Sequence, residues 1–306
     1  MNVSKQLKVD LNEAFKFTDK IIHDHKTKAW RLGKVLLTEE KRNYLFLCHA
    51  YLRWVDDFID NKERTIDEKK KFIEKQKILL ANLSSGNKTD LNLFEEYFLY
   101  YLIQYAHSVG NSIVIDEVLN MIITFETDIR RIANDGILSE DELDKYANCQ
   151  ATALFRILKS FLSPLQENNC DEKNIVFPAL HHICLLRDFS EDLALGYVNV
   201  SREDIDKFNL NVNDLLKDYR LTDWVEYKTL HIEKMLEEEI TVFKELPFKY
   251  KFILYGLFPY IYAKIIRLKI YNFKFKDIVD KKLLKEIKIY FLSTIFSLNI
   301  FIRIFF

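Results

Sequence analysis

Chain breakers are scarce in this sequence: its 306 residues include six Gly and four Pro. Sandwiches, barrels and doubly wound sheets turn roughly every ten residues, mostly on Gly, Pro, Asn and Asp. A chain with so few glycines and prolines is steered toward long helices. Apolar residues recur at three- and four-residue spacing, as in Tyr44, Leu45, Leu47, Cys48, Tyr51, Leu52 and Val55, and again from Leu93 to Tyr105. The predicted class is therefore all-α. Breaks are expected near Gly33 to Thr38, Asn61 to Thr65, Ser84 to Asp90, Gly110, Asn134 to Ser139, Pro164 to Lys173, Gly196 to Ser201, Asn209 to Asn213, Pro247 and Asn272 to Asp277. They imply roughly ten helices and no linker long enough to separate a second domain. Residues 1–306 are read as one domain, with a lead-in over 1–20 and an apolar tip over 298–306.

The 45 Lys and Arg balance 46 Asp and Glu, a net charge of −1, so no general attraction to nucleic acid follows. Cys48, Cys149, Cys170 and Cys184 lack CxxC or disulfide-like spacing and read as reduced, mostly buried thiols of a cytoplasmic protein. MNVSKQLKVDLNEAF has no apolar signal core. At the other end, Lys281, Lys282, Lys285 and Lys288 lead into a greasy stretch ending Ile302-Arg303-Ile304-Phe305-Phe306. Asp277 to about Ser297 is expected to be the last core helix, with peripheral membrane contact through the tip beyond it.

Acidic residues at helix starts, as in Thr38-Glu39-Glu40 and Ser139-Glu140-Asp141-Glu142, are capping features and receive no catalytic role. Glu237-Glu238-Glu239 reads as an exposed face. Two other clusters lie inside apolar helices. In Arg53-Trp54-Val55-Asp56-Asp57-Phe58-Ile59-Asp60, the carboxylates of Asp56 and Asp60 stand one turn apart on one face, which Arg53 joins from three residues before. In Leu185-Leu186-Arg187-Asp188-Phe189-Ser190-Glu191-Asp192, Asp188 and Asp192 repeat the spacing and Glu191 adds a third acid. Like charges so placed repel, and something should neutralise them.

Hard oxygen ligands suit Mg²⁺, with Mn²⁺ as a second candidate, and Mg²⁺ completes its octahedron with water and substrate phosphate oxygens. If the two helices face one cavity, six carboxylates would hold cations that stabilise a departing diphosphate. Ionising an allylic diphosphate leaves a carbocation that water would quench, so a dry aromatic cavity is expected around it. His181-His182 has no companion ligand at zinc spacing and reads as a helix-face or core pair, and Cys149 and Cys184 read as packing residues.

Asp56-Asp57-Phe58-Ile59-Asp60 and Arg187-Asp188-Phe189-Ser190-Glu191-Asp192 resemble the two Asp-rich motifs of the squalene/phytoene synthases, the head-to-head prenyltransferases. Leu37-Thr38-Glu39-Glu40-Lys41-Arg42, Glu126-Thr127-Asp128, Tyr146 to Ala151 and Tyr262-Ala263-Lys264-Ile265-Ile266 are similar to further family segments in the same order. The resemblance implies a single-domain isoprenoid-synthase bundle that joins two prenyl diphosphates, farnesyl or geranylgeranyl, through a cyclopropylcarbinyl diphosphate. It implies metal ligation by Asp56, Asp60, Asp188 and Asp192, and catalytic roles for Arg53, Asp57, Tyr146, Glu191 and Tyr262. Substrate binding falls to Lys28, Arg53 and Arg187, and NADPH use stays open.

The chain departs from the family pattern at His49, His181, Cys184 and Tyr197, where the family commonly has Tyr, Gln, a metal-ligating Asn and Arg. These departures keep three readings in play: the two-substrate synthase, a single-substrate terpene synthase or diphosphate lyase, and a non-catalytic binding or assembly protein.

Overall fold

The structure is a computed structural model, described over residues 9–25, 33–34, 37–162, 178–243, 263–269, 273, 288–289 and 292–293. Among these residues there are nine named α-helices and one 3-10 helix, with a single isolated bridge, Ile137 to Val198, as the extended pairing. The helices are α1 (Leu11–His25), α2 (Glu39–Asp60), α3 (Ile66–Ser84), α4 (Glu96–Val109), α5 (Ser112–Ala133), α6 (Glu140–Leu162), α7 (Pro178–Leu195), α8 (Arg202–Phe208) and α9 (Leu221–Phe243), with the 3-10 turn Val212–Lys217 before α9. Residues 263–269 are also helical. The all-α expectation is met. The breaks expected at Pro164 to Lys173 and Pro247 lie outside the described residues, as do Cys170, Lys281, Lys282, Lys285 and the tip 298–306.

The chain divides into two compact units, one of residues 1–133 and 152–173 and the other of 134–151 and 174–306. In the first, α2 is the hub, packed against α1, α3, α4 and α5. Its sequence explains why: Leu47, Cys48, Tyr51, Leu52, Val55 and Ile59 follow the helical repeat and are all buried. Complete burial of side chains such as Leu47 or Phe98 stabilises the unit by about 1.5–3 kcal/mol each. The Tyr51 hydroxyl, carried into this core, donates to Gln76 Oε1 at 3.1 Å. Glu96 is fully buried at the start of α4, where it accepts from Lys75 Nζ (2.6 Å) and from the backbone N–H groups of Asn92 (2.8 Å) and Leu93 (3.2 Å). Its charge is tolerated because each oxygen has a donor.

The second unit is built on α9, which packs against α7, α8 and the 3-10 turn. Trp224 is its largest fully buried side chain, and its indole N–H donates to Asp204 Oδ2 at 2.9 Å. Lys228, also buried, pairs with the same carboxylate at 3.1 Å. Glu239 corrects the exposed-face reading of the Glu237 to Glu239 run: it is 9% exposed and accepts from the backbone N–H of Ala179 at the start of α7. Position 239 falls on the stripe of Ile232, Leu236 and Ile240 that α9 turns inward.

Candidate active site

The first acidic motif ends α2, in the first unit. Its helix is started by Thr38, whose side chain accepts from the Lys41 N–H, and it stops at Asn61. Inside it, the Arg53 guanidinium reaches both Asp56 (Nη1 to Oδ2, 3.2 Å) and Asp57 (Nη2 to Oδ1, 2.6 Å). Burial works against the Arg53 charge, yet Asp56, Asp57 and Asp60 together raise its pKa above the ordinary arginine value. Asp56 and Asp60 are half-buried, whereas Asp57 is exposed. From α3, Lys69 is almost wholly buried; burial pulls its pKa down and Asp60 pushes it back up. Nothing in the sequence singles out Lys69, because it opens a Lys69-Lys70-Lys71 run in which the other two are exposed.

The face of α2 that carries Arg53 borders a pocket of about 470 Å³. His49, Arg53, Trp54 and Asp57 line it from α2, Phe17 and Ile21 from α1, and Phe98 from α4. His49, one of the departures from the family pattern, therefore shares a pocket with Arg53. The pocket combines aromatic side chains with the charged Arg53 and Asp57, as an amphiphile with an anionic head would require.

The second motif lies on α7, in the second unit. Arg187 forks Asp188: Nε donates to Oδ1 at 2.5 Å and Nη2 to Oδ2. Asp192 accepts from the Asn199 amide at 2.6 Å, and its carbonyl accepts the Tyr197 N–H at 2.9 Å as the helix ends. Asp188 and Asp192 are half-buried, and Glu191 is exposed. Tyr197 is buried. One turn before the motif, the ring of His181 meets Tyr146 of α6 edge-on at 5.7 Å, and the Tyr146 hydroxyl accepts from Gln150 Nε2 at 3.0 Å. Cys184 is half-buried on the same stripe as Asp188. His182 points the other way, is buried, and lies 3.4 Å from Asp144.

Thus each motif carries two half-buried carboxylates one turn apart, with a basic side chain already drawn onto the first of them. Lys28 and Tyr262 lie outside the described residues. Among the described residues, no group of three or more His, Cys, Asp and Glu side chains converges in a metal-holding arrangement. The donor chemistry nevertheless fits Mg²⁺, which is bound through one or two carboxylates while water and phosphate oxygens fill its other positions. Hydrogen bonds such as Asn199 to Asp192 orient the oxygens that such an ion would use. No described helix is long and apolar enough to cross a membrane.

Residues 27–257 match the family described as Squalene/phytoene synthase. A search of curated protein sequences finds no match. Among solved structures, the chain is similar to a dehydrosqualene synthase crystallised in complex with ligand, at 15% identity and a TM-score of 0.64, covering 94% of this chain and 98% of that one. It is also similar to squalene synthase HpnC from Alicyclobacillus acidocaldarius, at 15% identity and a TM-score of 0.65, with 88% and 98% covered.

Proposed function

Since the chain belongs to the squalene/phytoene synthase family and is a prenyltransferase, we propose that it joins two prenyl diphosphates head to head in a Mg²⁺-dependent reaction. The observation that carries this reading is the paired design of the motifs, Asp56 with Asp60 beside Arg53 and Asp188 with Asp192 beside Arg187. When bound, Mg²⁺ supplies Lewis-acid charge that stabilises the departing diphosphate. Asp56 with Asp60, and Asp188 with Asp192, would hold such ions, with Mn²⁺ the alternative.

Arg53 and Arg187 bring positive charge to the acidic stripes. Their planar guanidinium groups are suited to phosphate oxygens once cations take over the carboxylates. The first substrate loses its diphosphate as the C1–O bond breaks. Its C1′ then adds across the C2=C3 double bond of the second substrate, and loss of a proton from C1′ closes a cyclopropylcarbinyl diphosphate. Phe17, Trp54 and Phe98 offer an apolar wall that would keep water from a cation; Tyr146, held by Gln150 and His181, would keep the catalytic role the family resemblance implies for it.

A second reading, a single-substrate class I terpene synthase or diphosphate lyase, is favoured by Cys184, whose sulfur is a poor partner for hard Mg²⁺ on the stripe of Asp188, and by the burial of Tyr197. Purified protein incubated with Mg²⁺ and labelled farnesyl or geranylgeranyl diphosphate separates the two. A doubled carbon skeleton supports the first and a monomeric hydrocarbon or alcohol the second. Asp56→Ala and Asp188→Ala should each lower turnover by about 10²-fold or more, because each removes a metal-holding carboxylate. Wild-type rates in either variant would refute the assignment of the metal ligands.

A further inference from the structure

A groove of about 570 Å³ lies between α3 and α5 in the first unit, and it shares no lining residue with the pocket beside Arg53. Its size is that of a small-molecule site. Lys77 of α3 pairs with Glu126 of α5 across the two helices. The α3 wall of the groove, residues 70–74, lies before Lys77, and most of the α5 wall lies after Glu126. The helices therefore run antiparallel, and the start of α3 meets the end of α5.

That register gives the groove two unlike ends. At one, Lys70 and Lys71 from α3 and Arg130 from α5 line it with exposed cationic side chains. Arg130 Nη2 donates to Thr127 Oγ1 at 3.0 Å, which holds the guanidinium to its own helix. At the other end the α5 wall is Ile123, which is exposed. The helical stripes continue there from Ile123 to Leu119 and from Glu74 to Ile78, again exposed apolar side chains. Between the ends, the buried Ile73 and Ile129 face each other from the two walls. Two acids also line the groove; Glu126 is taken up by Lys77, and Glu74 stands one turn from Lys70. Cations thus outnumber acids at the α3 start, while the opposite end leaves apolar surface to water.

We propose that this groove binds a single-chain amphiphile, its anionic head at Lys70, Lys71 and Arg130 and its apolar chain running past Ile73 and Ile129 toward Ile123. A recess set between two packed helices and polarised along its length suits one chain with one head, and not the flat face of a bilayer. From Lys70 to Ile78 the helix rises about 12 Å, the reach available to the chain. Because α3 and α5 both pack on α2, a bound chain braces two of the helices that surround the first acidic motif. The site goes beyond the prenyl-transfer reading and does not depend on it.

Photolabelling of the full chain with a diazirine-bearing dodecyl phosphate, kept below its micelle threshold, tests the groove by where the label falls. Peptides from residues 66–84 and 112–133 should carry it. The probe concentration that half-saturates this labelling should rise about 10-fold in the double variant Lys70→Gln, Lys71→Gln and about 5-fold in Ile123→Asn, with melting temperatures unchanged. Unlabelled dodecyl phosphate should compete at least about 10-fold better than dodecyltrimethylammonium or inorganic phosphate, because head and chain are both needed. Label confined to residues 49–57 and 95–98 would place the amphiphile in the pocket beside Arg53 and overturn the proposal. So would half-saturation within about 2-fold of wild type in both variants, or equal competition by the cationic amphiphile. Binding of the chain to anionic phospholipid vesicles without labelling by the monomeric probe would make the patch a membrane-facing surface and overturn it as well.

Discussion

Arg53 is shared between two carboxylates of unlike setting, the half-buried Asp56 and the exposed Asp57. An exposed ion pair adds little to stability, about 0–1 kcal/mol, so the value of the arrangement lies in where it holds the guanidinium. Arg53→Gln should lower kcat/KM by about 10²-fold, as the loss of a phosphate-facing charge does, while the melting temperature moves by no more than about 2 °C. Asp57→Asn should cost less than about 10-fold, since it loosens a tether without removing a metal-holding oxygen. Steady-state kinetics beside thermal melts check both, and an Asp57→Asn loss as large as that of Asp56→Ala would promote Asp57 to a ligand. The four-residue spacing made Asp56 with Asp60, and Asp188 with Asp192, legible from the sequence, because helical periodicity alone fixes which side chains share a face. Lys69 and the burial of Glu239 were not legible. Each depends on which helix arrives from elsewhere in the chain, and local charge patterns carry no record of that.

Helix starts and stops carry a stronger local signal. Ser139 and Glu142 form the reciprocal pair expected of a hydroxyl followed three residues later by an acid, with Ser139 N–H to Glu142 Oε2 at 3.0 Å and Glu142 N–H to Ser139 Oγ at 3.3 Å. Gly110 ends α4 at φ 67°, where glycine has no Cβ penalty. The sequence also marked breaks at Asn134 to Ser139 and at Gly196 to Ser201, but not that these two connections meet. They are joined by the Ile137 to Val198 bridge, by the Val198 N–H donating to the Gly136 carbonyl at 3.1 Å, and by an approach so close that a Cβ on Gly136 would lie 2.1 Å from the Gly196 carbonyl oxygen. Gly136 also holds φ +75°. Gly136→Ala thus combines left-handed strain with a backbone clash and should destabilise the protein by about 2 kcal/mol or more. Gly196 directly follows the end of α7, where Asn199 holds Asp192, so the same substitution should weaken Mg²⁺-dependent pyrophosphate binding. A thermal melt and a titration of Gly136→Ala check the two effects, and a wild-type melting temperature would refute the close approach.

For the whole molecule, the near balance of 45 basic and 46 acidic side chains leaves little net repulsion at neutral pH, so the pH dependence of stability falls to a few buried groups. Two of these act in opposite directions. Burial pushes the Glu239 carboxyl up to about 8, aided by Glu238 and opposed by the Ala179 N–H. Burial, with the nearby charges of His181, Lys228 and His231, pushes His182 down to about 3. Between its unfolded value of 4.5 and about 8, Glu239 keeps a proton that the unfolded chain releases, so its contribution falls as pH rises. Between 6.5 and about 3, His182 stays neutral while the unfolded chain takes up a proton, so its contribution falls as pH drops. Each slope is about 1.4 kcal/mol per pH unit. From 4.5 to 6.5 the two slopes cancel, which predicts a stability plateau there, a decline above 6.5 set by Glu239, and a decline below 4.5 set by His182. Glu239→Gln keeps an acceptor for the Ala179 N–H and cannot ionise. It should abolish the decline above pH 6.5 and expose the His182 slope immediately below it, turning the plateau into a ramp. Melting temperatures from pH 4 to 8.5 would show the change as about 2–3 °C per pH unit for a chain of this size. A wild-type melting temperature that stays level from pH 6.5 to 8 would place the Glu239 carboxyl in contact with water and remove it from the interior of α9.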